Sequence, residues 1–268
     1  MHRAVLTFTV LSTMALAAEP GRVELRDPAG DDHGPGRYTY PTDAAYLKGS
    51  FDLLALRVRA EGDDVVFELE VAAKLEDPWR LGVGFSLQHA VVFLDVDGDA
   101  RNGQRDGLPG QNVAFAEGHG WDRAVLITPH TPARVQKELE SKASALGTSV
   151  VVPARVKGSG RVIRATVPRA QLASSDPRRW RYQVTLASQD GFPSGNSVLL
   201  RQVNEAGGAH RFGGGDDGQC DPQVLDVLAG LAVGASGEVK AQAEQLAFEC
   251  DEAGEPRRRA TLRLIALP

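Results

Sequence analysis

The 268-residue chain predicts a mostly β protein, an immunoglobulin-like or jelly-roll-type β-sandwich with one or two short helices. Three observations carry that expectation. Short runs alternate apolar with polar residues, the period of a strand with one buried face. Turn-forming residues, among them 29 Gly and 15 Pro, break the chain at short intervals. Segments with a helical period are few. Hydrophobic residues are 42% and charged residues 24%, values of a folded soluble domain, which excludes wholesale disorder.

In chain order, Phe51–Val58 and Val65–Val71 flank Gly62-Asp63-Asp64 and read as a hairpin. Ala90–Asp95 is a continuous apolar run ending in an acid, which suits a strand buried on both faces. Ala124–Thr128, Thr148–Val156, Val162–Val167, Tyr182–Ser188 and Thr261–Leu267 are further strands. Ala133–Leu146 places Val135, Leu139, Ala143 and Leu146 on one helical face, and Val224–Leu231 predicts a short second helix. The body of the sandwich is expected over residues 22–212, with 213–268 an extension packed on the same domain.

Residues 1–17 have the order of a signal peptide: a basic start at His2 and Arg3, an apolar stretch, then Ala15-Leu16-Ala17 as a small-x-small cleavage site. The expected destination is the periplasm or the cell exterior. The apolar stretch is too short to span a bilayer comfortably, so no membrane span is expected. In an oxidising compartment Cys220 and Cys250 are a candidate disulfide. A net charge of −5 argues against a nucleic-acid partner, which requires a basic face.

Two acidic clusters are candidate calcium sites. Asp95-Val96-Asp97-Gly98-Asp99 runs on to Asp106 at the twelfth position, a spacing that offers hard oxygen ligands. Ala100 stands where an EF-hand needs Gly, so an EF-hand is not expected; a Ca²⁺ at a strand-end turn and a plain solvated turn fit equally. Asp27, Asp31 and Asp32, among Gly30, Gly34 and Gly36, are either cation ligands or turn caps. The Gly213–Gly215 run lacks the Gly-Lys-Ser/Thr ending of a phosphate loop.

Aromatic rings are the usual platform for a pyranose. Trp79, after Pro78, is the candidate with the best prospect of exposure; Tyr38 and Tyr40 share a strand face; Trp121 fits either platform or core, and Trp180 reads as core. There is neither a Gly-x-Ser-x-Gly elbow nor a His-Glu-x-x-His motif. A glycosidase pair drawn from Asp97, Asp99, Asp190, Asp216 and Asp217 is not defined by spacing.

Three stretches are rich in residues of fixed geometry: Asp27 to Thr42 with Gly49-Ser50-Phe51-Asp52-Leu53; Asp77-Pro78-Trp79 through Gly84–Gln88, Asp95-Val96-Asp97 and Leu108–Asn112 to Gly120-Trp121-Asp122; and Ser188–Phe192 with Arg211–Asp217 and Asp221-Pro222. In this order they resemble the C-terminal module of glucodextranase, a domain type also attached to some pullulanases and amylases. The resemblance implies a sandwich similar to DOMON-like and family-9 carbohydrate-binding modules. It further implies a non-catalytic accessory role, with α-glucan or a cell-surface polysaccharide as partner. A structural domain with an envelope protein partner is the alternative. The only two Met, Met1 and Met14, lie in the signal segment, so a His/Met-ligated haem of the DOMON kind is not expected.

Overall fold

The computed structural model of the protein describes residues 21–267 except 100, 174–175, 194, 217–219 and 231–236. The expected signal peptide at 1–17 lies outside the described residues, as do Ala100 and Asp217.

The strands are β1 (Arg22–Arg26), β2 (Leu53–Glu61), β3 (Asp64–Val71), β4 (Gln88–Asp95), β5 (Val113–Phe115), β6 (Arg123–Ile127), β7 (Val150–Val151), β8 (Arg155–Ser159), β9 (Val162–Pro168), β10 (Arg181–Ser188), β11 (Asp226–Val227), β12 (Glu249–Cys250), β13 (Pro256–Arg258), β14 (Ala260–Leu262) and β15 (Ile265–Ala266). Two helices, α1 (Pro132–Lys142) and α2 (Glu238–Gln245), join them. One sheet has the order β1-β2-β3-β9-β8; the other runs β11-β10-β4-β6-β7, with β15 also on β10. The mostly β expectation holds, and the two sheets pack as a sandwich.

The first sheet is one-sided. Val58, Phe67, Leu69, Ile163 and Ala165 point into the core shared with Val92, Leu94, Val184 and Leu186 of the second sheet. The opposite face carries a charged ladder: Arg57 pairs Glu70 at 2.8 Å, Arg59 pairs Glu68 at 2.8 Å, and Arg164 pairs Glu61 at 2.7 Å. Cross-strand pairs of opposite charge suit a solvated face and discourage pairing with a second sheet.

The second sheet is buried on both faces. Every residue of β4 is buried. Val91 and Phe93 turn away from the sandwich into a second core with Phe115, Trp121, Leu126, Val135, Leu139, Val198 and Leu262. Helix α1, the β5–β14 pair and the C-terminal segment cover that face. This explains the unbroken apolar run at Ala90–Leu94, which the sequence expectation read correctly. Thr131 caps α1, accepting from the Arg134 amide at 3.4 Å, and Pro132 opens its first turn.

Three expectations are corrected, the first being Thr261–Leu267, which is two short strands, β14 on β5 and β15 on β10, rather than one. Val224–Leu231 is not helical where it is described: Asp226 and Val227 form β11 on β10, and the Leu225 amide donates to the Leu186 carbonyl at 2.9 Å. Adjacent residues face different cores, Val224 against Leu225 and Val227 against Leu228, which is the two-sided alternation of extended chain. Thr148–Val156 is two strands rather than one. β7 pairs with β6, β8 pairs with β9, and the chain crosses between sheets at Val152-Pro153-Ala154, where Pro153 has no amide to donate. The described residues after Gly213 join the second sheet through β11 and β15, and β14 pairs with β5.

Cys220 and Cys250 form a disulfide with Cα atoms 5.8 Å apart, closing a sequence separation of 30. A loop of that size contributes about 3–4 kcal/mol in the chain-entropy model. Reduction, or Cys220→Ser with Cys250→Ser, is expected to lower stability by that order in urea unfolding, with no change in the far-ultraviolet circular dichroism of the folded state.

His89 is buried on β4, and its Nε2 lies 3.0 Å from the Val198 carbonyl, which requires the ring to donate there. Burial lowers its pKa from 6.5 to about 4, with a minor contribution from His130. Between those values the unfolded chain binds the proton and the native one does not. Its contribution is therefore full above the unfolded pKa and is lost as pH falls toward 4, by about 2–3 kcal/mol. His89→Gln, which can still donate to Val198, is expected to flatten the stability–pH curve between pH 6.5 and 4.

Candidate functional site

One end of the sandwich gathers the loops 42–48, 77–86, 189–192 and 208–213. The Asp77 carboxylate organises the second of these, accepting from the Leu81 amide at 2.9 Å and the Gly82 amide at 2.8 Å. The Trp79 amide donates to Ser86 Oγ at 3.2 Å. The loop is then strapped to β8: the Gly158 amide donates to the Val83 carbonyl at 2.7 Å. Gly84 has φ +87°, and a Cβ there would lie 2.3 Å from the Gly158 carbonyl oxygen, so only glycine fits the strap.

This arrangement leaves Trp79 40% exposed. Its indole meets the His210 ring edge-on, with centroids 5.7 Å apart and planes at 72°. His210 Nε2 lies 3.8 Å from Asp43 Oδ2. The two loops are joined by backbone bonds of 3.0 Å from the Thr42 and Asp43 amides to the carbonyls of Gly208 and Ala209. Arg201 donates to the His210 carbonyl at 3.1 Å.

Below this ledge, aromatic rings pack down into the core. Tyr46 contacts His210 at 6.0 Å and Phe212 at 5.8 Å, and Phe212 packs on Phe51 at 5.2 Å and on Tyr40 at 5.6 Å. The 208–213 loop is thus anchored by a buried Phe212, and the position of His210 follows. A second exposed ring, Phe192, is 92% exposed beside this end. Its loop is fixed from beneath: its amide donates to Asp190 at 2.8 Å, and buried Gln189 donates to the Ser86 carbonyl at 2.7 Å. Ser86 therefore ties the Trp79 and Phe192 loops together.

Of the aromatic candidates from sequence, Trp79 alone is exposed. Trp121 is fully buried against Phe93, its Nε1 donating to the Asp106 carbonyl at 3.0 Å. Tyr38 is buried and donates to the Pro222 carbonyl at 2.8 Å. Both build the core and offer no face for stacking, because the large apolar ring is worth more inside than at the surface. Tyr40 is half-buried, donates to Asp32 and accepts from the Phe51 amide at 3.0 Å. Trp180 is core, as expected. His210, Asp43 and Phe192 had no motif to mark them as partners of Trp79.

The acidic clusters resolve differently. Asp27 and Asp31 come together with Asp226, their ligand oxygens all within 4.8 Å of one another. Asp32 lies beside them against Tyr40 and His33, and buried Asp52 faces Asp32 and Asp226. Burial, then the charges of Asp27 and Asp31, raises the Asp226 pKa well above the usual carboxylate range. Burial, then Asp32, pushes Asp52 up to about 6. At the far turn, Asp95 and Asp97 come together with Asp122, while Asp99 turns away to Arg101 at 2.7 Å. Asp226, Asp52 and Asp122 were not foreseen. An acid inside the apolar run Val224–Leu228 was the signal for Asp226.

Residues 23–262 match the C-terminal binding module, SLH-like, of glucodextranase. The chain belongs to that family. The match takes in β11 and β14, so most of the segment after Gly213 is part of the module. The family is one of binding modules rather than catalytic domains. No curated protein matches the chain. Among the described residues no helix is long and apolar enough to cross a membrane.

Proposed function

We propose that this chain is a secreted, non-catalytic carbohydrate-binding accessory module for α-glucan or a cell-surface polysaccharide. The observation that carries the reading is Trp79. Its indole is exposed, held by the Asp77 turn and flanked by His210, which in turn lies against Asp43. A pyranose lays its C–H face on such a ring while its hydroxyls bond to the neighbouring carboxylate and imidazole. Membership of a binding-module family supports a contact role, and the disulfide and the leader-like residues 1–17 support export.

The exposure of Phe192 favours a second reading, an envelope protein as partner, because an apolar ring in water gains from burial against another protein.

Retention of the purified chain on insoluble α-glucan and on cell-envelope fractions tests the first reading. Trp79→Ala is expected to weaken retention about tenfold or more, and Phe192→Ala to leave it within about twofold. Wild-type protein that passes unretarded over both materials contradicts carbohydrate binding. Retention on envelopes alone, lost on protease treatment of the envelopes and on Phe192→Ala, favours the protein partner.

A further inference from the structure

The buried carboxylates at the edge of the sandwich are not used by the Trp79 ledge, and their arrangement asks for a ligand. Asp27 follows β1, the edge strand of the first sheet, and Asp226 lies on β11, the edge strand of the second. Each spends one oxygen on a backbone amide across the gap: Ala229 donates to Asp27 Oδ1 at 2.8 Å, and Leu53 donates to Asp226 Oδ2 at 2.6 Å. Asp52 does likewise, accepting from Gly30 at 2.8 Å through Oδ2. The bonded amides fix the orientation of these carboxylates.

Asp226 and Asp52 each keep a second oxygen. Asp226 is fully buried, and its Oδ1 has no hydrogen-bond partner among the described residues; the same holds for Oδ1 of buried Asp52. Among the described residues no Lys or Arg forms an ion pair with Asp226 or Asp52. An ionised carboxylate so placed costs several kcal/mol unless a counter-charge meets it. The second acidic cluster differs, because Arg181 Nε lies 3.6 Å from Asp95 Oδ2 and already supplies positive charge there.

We infer that Asp27, Asp31 and Asp226 form a buried site for one divalent cation of the calcium type, with Asp52 in the surrounding shell. Two oxygens on opposite sides of a Ca²⁺, each at about 2.4 Å, stand about 4.8 Å apart. The three ligand oxygens here all lie within 4.8 Å of one another, so one ion can touch them all. Burial suits a structural ion that joins the edges of the two sheets. Helix α2 closes the site, since Gln242 donates to the Asp31 carbonyl and accepts from the Val227 amide at 3.0 Å.

The test uses the full mature chain, stripped with chelator and titrated with CaCl₂. Ion content by mass spectrometry of the desalted protein and Tm by calorimetry are both read. Wild type is expected to retain one equivalent of Ca²⁺ through the Asp226 site and to gain about 5 °C or more at millimolar Ca²⁺. Asp226→Asn, which keeps the acceptor for Leu53, loses that equivalent and the Tm gain, and Asp31→Asn serves as a second variant should the first fold poorly. Asp95→Asn keeps both. Wild type whose Tm ignores Ca²⁺, or Asp226→Asn that retains the ion, overturns the site. A neutral, proton-sharing cluster would show itself as an Asp226→Asn variant equal to or above wild type in Tm with no ion in either. Because the readouts are ion content and Tm, failure here leaves retention on glucan untouched.

Discussion

The edge of the sandwich is closed by side chains rather than by a strand. Asp226 bonds to the Leu53 amide, and Asp27 bonds to the Ala229 amide, so each sheet edge is stitched to the other through a carboxylate. The Gly34 amide adds a third tie, to the Leu225 carbonyl at 2.8 Å. A sandwich edge is otherwise a row of unpaired amides and carbonyls. Here the Ala229 amide and the Leu225 carbonyl are taken up by the loop 27–40, and the same loop carries Tyr38 and Tyr40 down to Pro222 and Phe51. The electrostatic strain of the seam and the aromatic packing beneath the ledge are therefore parts of one construction.

That construction separates rigidity from contact. The two cores, one between the sheets and one on the outer face of the second sheet, hold β4 and β6 from both sides. The loops at one end rest on this block through Phe212, Gly84 and Gln189. Trp79 is thus displayed by elements that do not have to move to meet a polymer. A polysaccharide surface is met best by a preorganised ring, since ordering a loop on binding would subtract from a modest affinity.

The strands with strong alternation or strong burial were legible in the sequence, from the Phe51–Val71 hairpin to Tyr182–Ser188. The one amphipathic helix was legible as well, starting at the Thr131 cap. β1, β5 and β11 were harder, because each is short and owes its existence to a distant partner. The Val224–Leu231 segment misled for that reason: its apolar residues serve two cores, and periodicity over eight residues does not separate that from a helix. At the ledge, Pro78-Trp79 was a readable sign of exposure. His210 and Asp43 were not readable, since His210 reaches Trp79, and Asp43 reaches His210, only through contacts between loops distant in sequence. Trp121 and Tyr38 were plausible platforms by residue type alone, and only burial decides between ring as core and ring as platform.

The central claim is that Trp79 is the contact residue for sugar. The chain has three Trp, and two of them, Trp121 and Trp180, are buried, so a polar quencher reaches one indole. Acrylamide or iodide quenching of tryptophan emission, titrated with soluble α-glucan or with polysaccharide released from envelopes, reads that indole directly. The account predicts a saturable loss of quenching to the level of Trp79→Phe. Binding of the polymer with quenching unchanged would contradict it.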